Sequence, residues 1–407
     1  MTARGSLRVR VVAGIDDVGR QAWRPLEPPS FYLSHDWVRA VEGMLGPEHP
    51  YLVAERGGEV VAVVACQLAR DADLYAFFNL PSLLLSAERV AELRPWLSTV
   101  DGARLAELAA GLRPQGGQLL PALLATVPRG YQSGIVYHRD LAAGERDEVA
   151  RRVLDAFDEL AIRSGAGAAA VIYLQEGADP HLEAALDARG YVPTVLGGNC
   201  FLDVRWPDLD SYLAQFSSGR RRTLRIDMQR FAAAGGTVTV GGVELLRDEL
   251  AAMQAATQSK YGHRADPAQT LRWYARIRAE LGPYVRVSLA RRGADVLGFG
   301  MFYEMGGELQ ARVVGFDYSL RGAERAYFNV AFYEPIRYAI ATGLRRIDYG
   351  MESYEAKMKR GCDLRPLRGW FRFHCGDTDR LAELLDLHAT AQLARHAALR
   401  RTYGAAG

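Results

Sequence analysis

Residues 328–350 read FNVAFYEPIRYAIATGLRRIDYG, and this stretch decides the fold. Its apolar side chains recur at the spacing of one face of a helix. They are Phe328, Phe332, Ile336, Ala339 and Ile340. Gly343 is expected to end this helix, because glycine adopts the left-handed conformation that commonly follows a last helical turn. Residues 346–349 follow with the alternation of a strand, so the stretch predicts a helix, a tight stop and a strand.

The same order of elements occurs in the first half of the chain. Residues 148–163 carry an apolar helical stripe, Gly165 follows it, and the apolar segment 168–174 has the length of a strand. A helix, a glycine and a strand therefore recur at comparable places in both halves. This recurrence predicts an internal duplication of a βαβ-type unit.

Three further strands are expected before the helix of the second half. They are residues 284–290, 296–305 and 309–317. Gly293 separates the first two strands and the pair Gly306-Gly307 separates the last two, and short glycine turns join antiparallel strands. The second half is therefore predicted to contain an antiparallel meander that leads into the final helix and strand.

A chain of 407 residues is too long for one ordinary hydrophobic core, so two domains are expected. The segment Trp206-Pro207-Asp208 separates the halves. Proline ends one element there, and Asp208 is placed to cap a following helix. The predicted domains are therefore residues 1–206 and 207–407.

The composition excludes several classes of protein. The formal charge is only +2, from 50 basic and 48 acidic side chains, so no strong overall field favours nucleic-acid coating or membrane adsorption. The four cysteines and the histidines His35, His138, His263 and His374 lack the spacing of metal ligands, so no metal is expected. No signal peptide and no membrane-spanning segment is recognised, which predicts a soluble cytoplasmic protein.

A first candidate site is the arginine-rich segment 217–235. Serine at its start and glycine at its end predict a helix. Its apolar seam leaves Arg220, Arg221 and Arg225 available to an anion such as a phosphate or a carboxylate. An ordinary solvated arginine face is the alternative, since arginine is abundant throughout this chain.

A second candidate is the polar segment 348–361, which follows the last predicted strand. Catalytic groups favour such strand exits. If Ser353 caps a short helix, Tyr354 and Lys357 lie one turn apart and face the same cleft. The alternative is an ordinary surface helix whose Glu355 and Lys359 form an exposed ion pair.

A third candidate is the turn 315–326, which connects a predicted strand to a helix. Glycine-containing turns of this kind bind phosphate through free backbone amides, and Tyr318 and Arg321 lie within it. A plain connecting loop is an equally good interpretation. Pro335, inside the helix that follows, predicts a kink because it removes one backbone donor.

These segments together resemble the GNAT acetyltransferase superfamily, and specifically its FemA/FemX-like (FemAB-like) aminoacyltransferase branch. The resemblance rests on three segments. They are the arginine helix 218–235, Tyr327-Phe328-Asn329 with the helix that ends at Gly343, and Tyr349-Gly350 with the following Tyr354-Glu355-Ala356-Lys357 and Arg360-Gly361. It implies an α/β fold of two tandem GNAT-like (acyl-CoA N-acyltransferase) domains. Each is expected to be a mixed, mostly antiparallel sheet flanked by helices, with a degenerate N-terminal domain and a catalytic C-terminal one.

The resemblance implies an N-acyltransferase that moves an aminoacyl group from aminoacyl-tRNA to an amine of a small molecule or peptide, without a resident cofactor. The alternative donor is acyl-CoA, and a non-catalytic phosphate- or RNA-binding module is a further alternative. Lys357 is expected to stabilise the developing oxyanion. Glu352 or Asp348 is expected to act as base and Tyr318 or Tyr354 as acid. The expected donor-phosphate ligands are Arg220, Arg221, Arg225, Arg321 and Arg360.

Overall fold

The computed structural model describes residues 5–44, 46, 48–70, 76–262 and 265–404. By their mutual contacts the residues form two compact units. The first unit comprises residues 1–199 and 365–401, and the second unit comprises residues 200–364 and 402–407.

The described residues contain strands and helices in alternation. The strands are β1 (Leu7–Val12), β2 (Leu26–Glu27), β3 (Tyr51–Arg56), β4 (Glu59–Ala69), β5 (Ala122–Ala125), β6 (Val136–His138), β7 (Ala168–Gln175), β8 (Val192–Asp203), β9 (Gly236–Gly241), β10 (Val285–Arg292), β11 (Asp295–Met305), β12 (Glu308–Phe316), β13 (Arg346–Gly350) and β14 (Asp363–Phe373).

The helices connect these strands and cover the sheets. They are α1 (Arg20–Trp23), α2 (His35–Val41), α3 (Leu80–Leu85), α4 (Ala87–Leu93), α5 (Thr99–Leu112), α6 (Ala143–Arg163), α7 (Pro180–Ala188), α8 (Leu209–Ala214), α9 (Ser218–Ala233), α10 (Glu249–Lys260), α11 (Pro267–Arg276), α12 (Ala323–Phe328), α13 (Glu334–Thr342), α14 (Tyr354–Met358) and α15 (Thr378–Tyr403). Short π-helical segments, Ile277–Leu281 and Asn329–Tyr333, continue α11 and join α12 to α13.

The sheet of the first unit has the strand order β1-β3-β4-β5-β7-β14-β8, with β6 pairing to β4 and β2. Strand β5 runs parallel to β7. Helix α6 packs on this sheet through Val153, Leu154 and Phe157, which are buried against side chains such as Leu52 and Val171. The first unit therefore has its own hydrophobic core.

The sheet of the second unit has the strand order β8-β13-β12-β11-β10-β9. Strands β10 to β12 form the predicted antiparallel meander, β9 pairs antiparallel with β10, and β12 runs parallel to β13. Phe231 of α9 and Val330 of the π-helical segment pack against the sheet residues Ala290, Leu297 and Phe316. These contacts bury the apolar seam that the sequence predicts for the arginine-rich helix.

The predicted duplication is present in both units. Helix α6 and helix α13 are each followed by a glycine with a positive φ, Gly165 and Gly343, and then by a strand. In each unit that strand, β7 or β13, is parallel to a strand that precedes the helix. Strand β5 was not predicted, because its four small and aliphatic residues lie in a stretch rich in leucine, alanine and proline.

The division of the chain differs from the predicted boundary at residue 206. Residues 365–401 belong to the first unit, although the sequence assigned them to the second. The physical reason is the packing of α15, where Arg104 pairs with Glu383 at 2.7 Å and the Leu385 carbonyl accepts a hydrogen bond from Thr194. Such contacts between residues far apart in the chain leave no mark in a local sequence pattern.

No helix among the described residues combines the length and the apolar character needed to cross a membrane. The four cysteines are free thiols, and three of them, Cys66, Cys200 and Cys362, are buried.

Gly315 lets helix α10 approach strand β12 closely. A Cβ atom at this position would lie 2.7 Å from the Gln254 backbone nitrogen and 2.9 Å from the Met253 carbonyl carbon. We predict that Gly315→Ala lowers the free energy of unfolding by about 1 to 3 kcal/mol, because the helix must move away from the strand. Gly219→Ala, in open space on α9, is the control and should not destabilise the protein. Urea unfolding of both variants and the wild type measures the effect. Equal unfolding midpoints for Gly315→Ala and the wild type would refute the prediction.

Helix α15 buries His396 in the first unit with only 1% of its surface exposed. Burial, together with the nearby positive charges of Arg400 and Arg395, lowers the pKa of His396 to about 4. The folded state therefore takes up the proton less readily than the unfolded chain. The stability that comes from the neutral, buried His396 is therefore complete above the ordinary histidine pKa of 6.5 and is lost as the pH falls through about 4.

We predict that His396→Leu weakens this pH dependence. Between pH 7 and pH 4.5 the variant should lose about 2 kcal/mol less unfolding free energy than the wild type. Chemical denaturation at the two pH values measures the difference. Identical losses in both proteins would show that His396 does not remain neutral in the folded state.

Candidate functional site

Strands β12 and β13 of the second unit pair over a short length and then diverge. Their parallel register covers only residues 308–310 and 346–348. Beyond Gln310, β12 continues its pairing with β11, through a bulge at Arg312. The end of β13 pairs instead with β8, where Gly350 lies opposite Cys200. A wedge-shaped gap, called the wedge, therefore opens between β12 and β13 beyond their three paired residues.

The side chains of β12 that border the wedge are partly exposed. Residues 311–314 are half-buried, whereas Leu309 and Gln310 before them and Gly315 and Phe316 after them are buried. A strand inside a sheet is normally covered on both edges by its neighbours. The half-buried window coincides with the part of β12 beyond its pairing with β13.

The wedge lies between two of the segments that the sequence singled out. The turn 315–326 follows β12, and the polar segment 348–361 follows β13. Because the carboxyl ends of parallel strands lie at the same edge of a sheet, both segments leave at the wide end of the wedge. The second unit therefore brings two of the predicted clusters together.

Hydrogen bonds fix the turn after β12. The Asp317 carboxylate accepts hydrogen bonds from the backbone and the hydroxyl of Ser319, and the Arg321 carbonyl accepts one from Arg292 at 2.7 Å. The Arg321 side chain is exposed. Tyr318 is 39% exposed, and the Lys260 ammonium lies 4.0 Å from the centre of its ring. The turn thus presents an aromatic ring and several cations to solvent.

The segment after β13 begins with a strained turn. Glu352 and Ser353 both have positive φ values, 67° and 51°, which non-glycine residues rarely adopt. Ser353 precedes α14, but its side chain makes no capping hydrogen bond, so the expected serine cap is wrong. An N-cap residue usually has an extended backbone, and the left-handed conformation of Ser353 departs from it. Glu352 is exposed.

Tyr354 and Lys357 lie in α14 and are both buried, with 4% and 8% of their surfaces exposed. The Lys357 ammonium donates hydrogen bonds to the Gly350 carbonyl at 3.0 Å and to the Met351 carbonyl at 2.6 Å. Burial lowers the pKa of Lys357 from its usual value. Two of the three N–H bonds of this lysine are therefore used to hold the turn at the end of β13.

Arg360 lies in the interior of the second unit, with 4% of its surface exposed. Its guanidinium lies 3.3 Å from the centre of the Phe328 ring and donates to the Ala356 carbonyl. It also donates to the Tyr333 hydroxyl at 3.4 Å and to Asp227 at 3.5 Å. Arg360 thus connects α9, the π-helical segment and α14, instead of extending into solvent.

The arginine-rich helix α9 contacts the same cluster. Ser217 caps its first turn as predicted, and Asp227 accepts a hydrogen bond from Tyr333 at 3.0 Å. Arg225 forms an exposed ion pair with Asp210 at 3.1 Å. Asp227 is the residue that joins α9 to the segment after β13.

Tyr403, which belongs to the second unit, makes a second connection between these segments. Its carbonyl accepts a hydrogen bond from Arg220 at 3.3 Å, and the Lys359 ammonium lies 5.3 Å from the centre of its ring. Arg220 and Arg221 are half-buried at the start of α9. The beginning of the arginine-rich helix therefore lies near the end of α14.

No sequence pattern pointed to Asp227, Tyr333 or Gln310 as site residues. Tyr333 is the last residue of the π-helical segment, two residues before Pro335. This segment leaves the Val330 carbonyl to accept a hydrogen bond from Ser288 at 2.5 Å. Pro335 was the available sequence signal, because a proline inside a helix removes one backbone donor. Helical irregularities such as π-helical turns often occur at functional sites.

Among the described residues no three or more His, Cys, Asp or Glu side chains gather where they could hold a metal ion. His263 lies outside the described residues.

Comparisons with known proteins were made for sequence and for structure. The family model FemAB-like, described as peptidoglycan biosynthesis/recognition, matches residues 106–398, more than two thirds of the chain. No curated protein matches the sequence. The solved structure of FemX is similar with a TM-score of 0.55 at 11% identity, covering 89% of this chain and 96% of that one. FemX therefore shares the fold.

Two other solved structures are similar at lower scores. A tandem GNAT protein from the clavulanic acid biosynthesis pathway covers 91% of this chain and 100% of its own, at 13% identity and a TM-score of 0.48. The C-terminal domain of a putative lysylphosphatidylglycerol synthetase from Agrobacterium fabrum covers 74% and 96%, at 16% identity and a TM-score of 0.44.

The α/β fold class with mixed sheets flanked by helices, which the sequence predicted, is confirmed. The family match, the shared fold of FemX and the mixed sheet with its wedge agree with one another. The chain belongs to the FemAB-like family of peptidoglycan biosynthesis and recognition, and it is an acyltransferase.

Proposed function

We propose that the second unit transfers an aminoacyl group from aminoacyl-tRNA to an amine of a small molecule or peptide, such as a specialised metabolite or a cell-wall precursor. The observation that carries this proposal is the wedge between β12 and β13, with polar segments at both strand ends. The arginine-rich start of α9 supports a donor with many phosphates, because arginine side chains bind phosphate oxygens strongly. We propose the cytoplasm, where charged tRNA is made, as its location.

The reaction replaces an ester bond by an amide bond. The nitrogen of the acceptor amine attacks the ester carbonyl carbon, a C–N bond forms, and the C–O bond to the terminal ribose breaks. The amine loses one proton and the ribose oxygen gains one, so an amide and a free hydroxyl result. Glu352 or Asp348 is the proposed base, and Tyr318 or Tyr354 is the proposed acid.

Lys357 is the proposed donor to the oxyanion that forms during the attack. Its hydrogen bonds to the Gly350 and Met351 carbonyls fix the ammonium at the end of β13. A cation that is already oriented in a buried site stabilises developing negative charge without reorganisation. The third N–H of the ammonium is the one assigned to this role.

The donor phosphates are assigned to Arg220, Arg221, Arg225 and Arg321, which are exposed or half-buried. Arg360 was expected to join them, but its buried guanidinium is bound to protein groups. Its contacts with Asp227 and Tyr333 support a positioning role, in which Arg360 holds α9 against the segment after β13.

We predict that Lys357→Met reduces kcat for aminoacyl transfer by about 100- to 1000-fold, as expected for the loss of one oxyanion donor. The KM for charged tRNA should change less than about threefold, because Lys357 is not assigned to the phosphates. Lys359→Met is the matched control in the same helix, since Lys359 is exposed and pairs with Glu355. Steady-state kinetics on both variants, after circular dichroism shows that both are folded, measures the effect. An unchanged kcat for Lys357→Met would exclude the role.

Acyl-CoA is the second candidate donor. The turn 317–322 favours it, because this turn follows β12 and opens a helix with Gly322 in the left-handed conformation, a geometry that suits a pyrophosphate. Charged tRNA and CoA donors share an adenosine and phosphates, so the arginines alone do not separate them.

We predict that radiolabel moves from [14C]aminoacyl-tRNA to an added amine, and that prior digestion with RNase abolishes the transfer. Acetyl-CoA labelled in the acetyl group is tested in parallel. Transfer that survives complete RNase digestion, or label that moves only from acetyl-CoA, would replace the tRNA donor by acyl-CoA.

A further inference from the structure

Gln310 carries an unsatisfied polar atom at the narrow end of the wedge. Only 2% of its surface is exposed, and its side-chain oxygen Oε1 has no hydrogen-bond partner within the part of the chain that the structure describes. A buried acceptor without a donor destabilises a folded protein, so such groups are rare and often have a functional reason. The oxygen of Gln310 requires a donor from outside the described residues.

The register places Gln310 at a defined point. It is the last residue of β12 that pairs with β13, where it lies opposite Asp348, and on its other side it lies opposite Tyr303 of β11. Directly opposed residues of neighbouring strands project from the same face of a sheet. Gln310, Asp348 and Tyr303 therefore form one buried polar row at the point where the wedge begins.

This face is opposite to the one on which the π-helical segment packs. Tyr349, the neighbour of Asp348, projects to the other face and stacks on Phe332 at 4.7 Å. The half-buried window 311–314 begins directly after Gln310, so this polar row lies at the inner limit of the window.

The row is suited to a group that donates hydrogen bonds. A glutamine Oε1 atom and an ionised carboxylate both accept hydrogen bonds. The Asp348 carboxylate is held in position by a hydrogen bond from the Gly350 amide at 2.8 Å. The ammonium of Lys357 acts electrostatically on Asp348, and the presence of that cation favours a neutral amine over a second cation. A neutral amine is the form that attacks a carbonyl.

We propose that Oε1 of Gln310 binds an N–H of the acceptor amine and, together with Asp348, forms the acceptor subsite at the narrow end of the wedge. This inference rests on the proposed aminoacyl transfer and specifies where the nucleophile binds. The amine then lies beside the strand edge at which Lys357 is assigned to the oxyanion.

The binding experiment uses n-propylamine at pH 9 as the probe, in the absence of any donor. Tetramethylammonium chloride and sodium chloride at the same ionic strength are the comparison solutes, because neither offers an N–H group. At ten times its dissociation constant the amine should raise the Tm of the wild type by about 3 °C. Gln310→Met, which keeps the side-chain length and removes the acceptor, should show less than about one third of this shift.

Gln269→Met is the matched control, because Gln269 is exposed on α11 of the same unit. Its Tm shift with n-propylamine should equal that of the wild type. Without the probe, Gln310→Met should melt at or above the wild-type temperature, because the variant loses an unsatisfied buried atom. Equal shifts in Gln310→Met and the wild type, or an equal shift with tetramethylammonium, would overturn the proposal. A marked fall in the Tm of Gln310→Met would also overturn it, by showing that the amide is structural.

The transfer experiment separates this subsite from the proposed reaction. With charged tRNA as donor and n-propylamine as acceptor, Gln310→Met should raise the KM for the amine about tenfold, the equivalent of one hydrogen bond, and leave the KM for the donor unchanged. If n-propylamine raises the Tm of the wild type but no donor supports transfer, the proposed reaction is refuted and the subsite is kept. Transfer with an unchanged amine KM in the variant would refute the subsite and keep the reaction.

Discussion

The short parallel pairing of β12 with β13 is the constraint on which the second unit depends. Three residue pairs hold the strands together, and beyond them each strand finds a different partner, β11 for β12 and β8 for β13. A bulge adds a local twist and kink to a strand, and the bulge at Arg312 lies where the strands separate. The wedge is therefore built into the hydrogen-bond register of the backbone and does not depend on any one side chain.

Two buried cations stabilise the segment at the wide end of the wedge. Desolvation of a charged group is expensive unless other groups replace the lost water. Lys357 is compensated by two backbone carbonyls, and Arg360 by a carbonyl, a hydroxyl, a carboxylate and the face of Phe328. These interactions hold the irregular backbone at Glu352 and Ser353, whose left-handed conformations would otherwise be unfavourable.

The two units contain the same supersecondary arrangement with different side chains on its parallel strands. Both contain a helix that ends at a left-handed glycine and a following strand that is parallel to an earlier one. In the first unit the parallel strands β5 and β7 consist of buried alanine, leucine and other apolar residues around an ordinary core. In the second unit the corresponding strands carry Gln310 and Asp348, and polar segments follow them. This difference in chemistry supports the proposal that acyl transfer takes place in the second unit.

The sequence by itself determined the local elements that carry this function. The FemAB-like family was predicted from the resemblance of the arginine-rich helix and of the segments around Tyr327 and Tyr349 to known members. The spacing of Phe328, Phe332 and Ile336 and the glycine stops at 165 and 343 were sufficient to predict the duplicated helix–strand unit, and the serine cap predicted the start of α9. Each of these signals is local, because helical periodicity and capping depend on residues within a few positions of one another.

Only the tertiary structure decided which residues meet. The assignment of residues 365–401 to the first unit, the contact of Asp227 with Arg360, and the position of Gln310 beside Asp348 all join residues that are distant in the chain. Arg360 is the clearest case, since an arginine in a polar stretch gives the same sequence signal whether it faces solvent or the interior. Its burial follows from the aromatic faces and acceptors that other elements bring to it, and no pattern along the chain records those contacts.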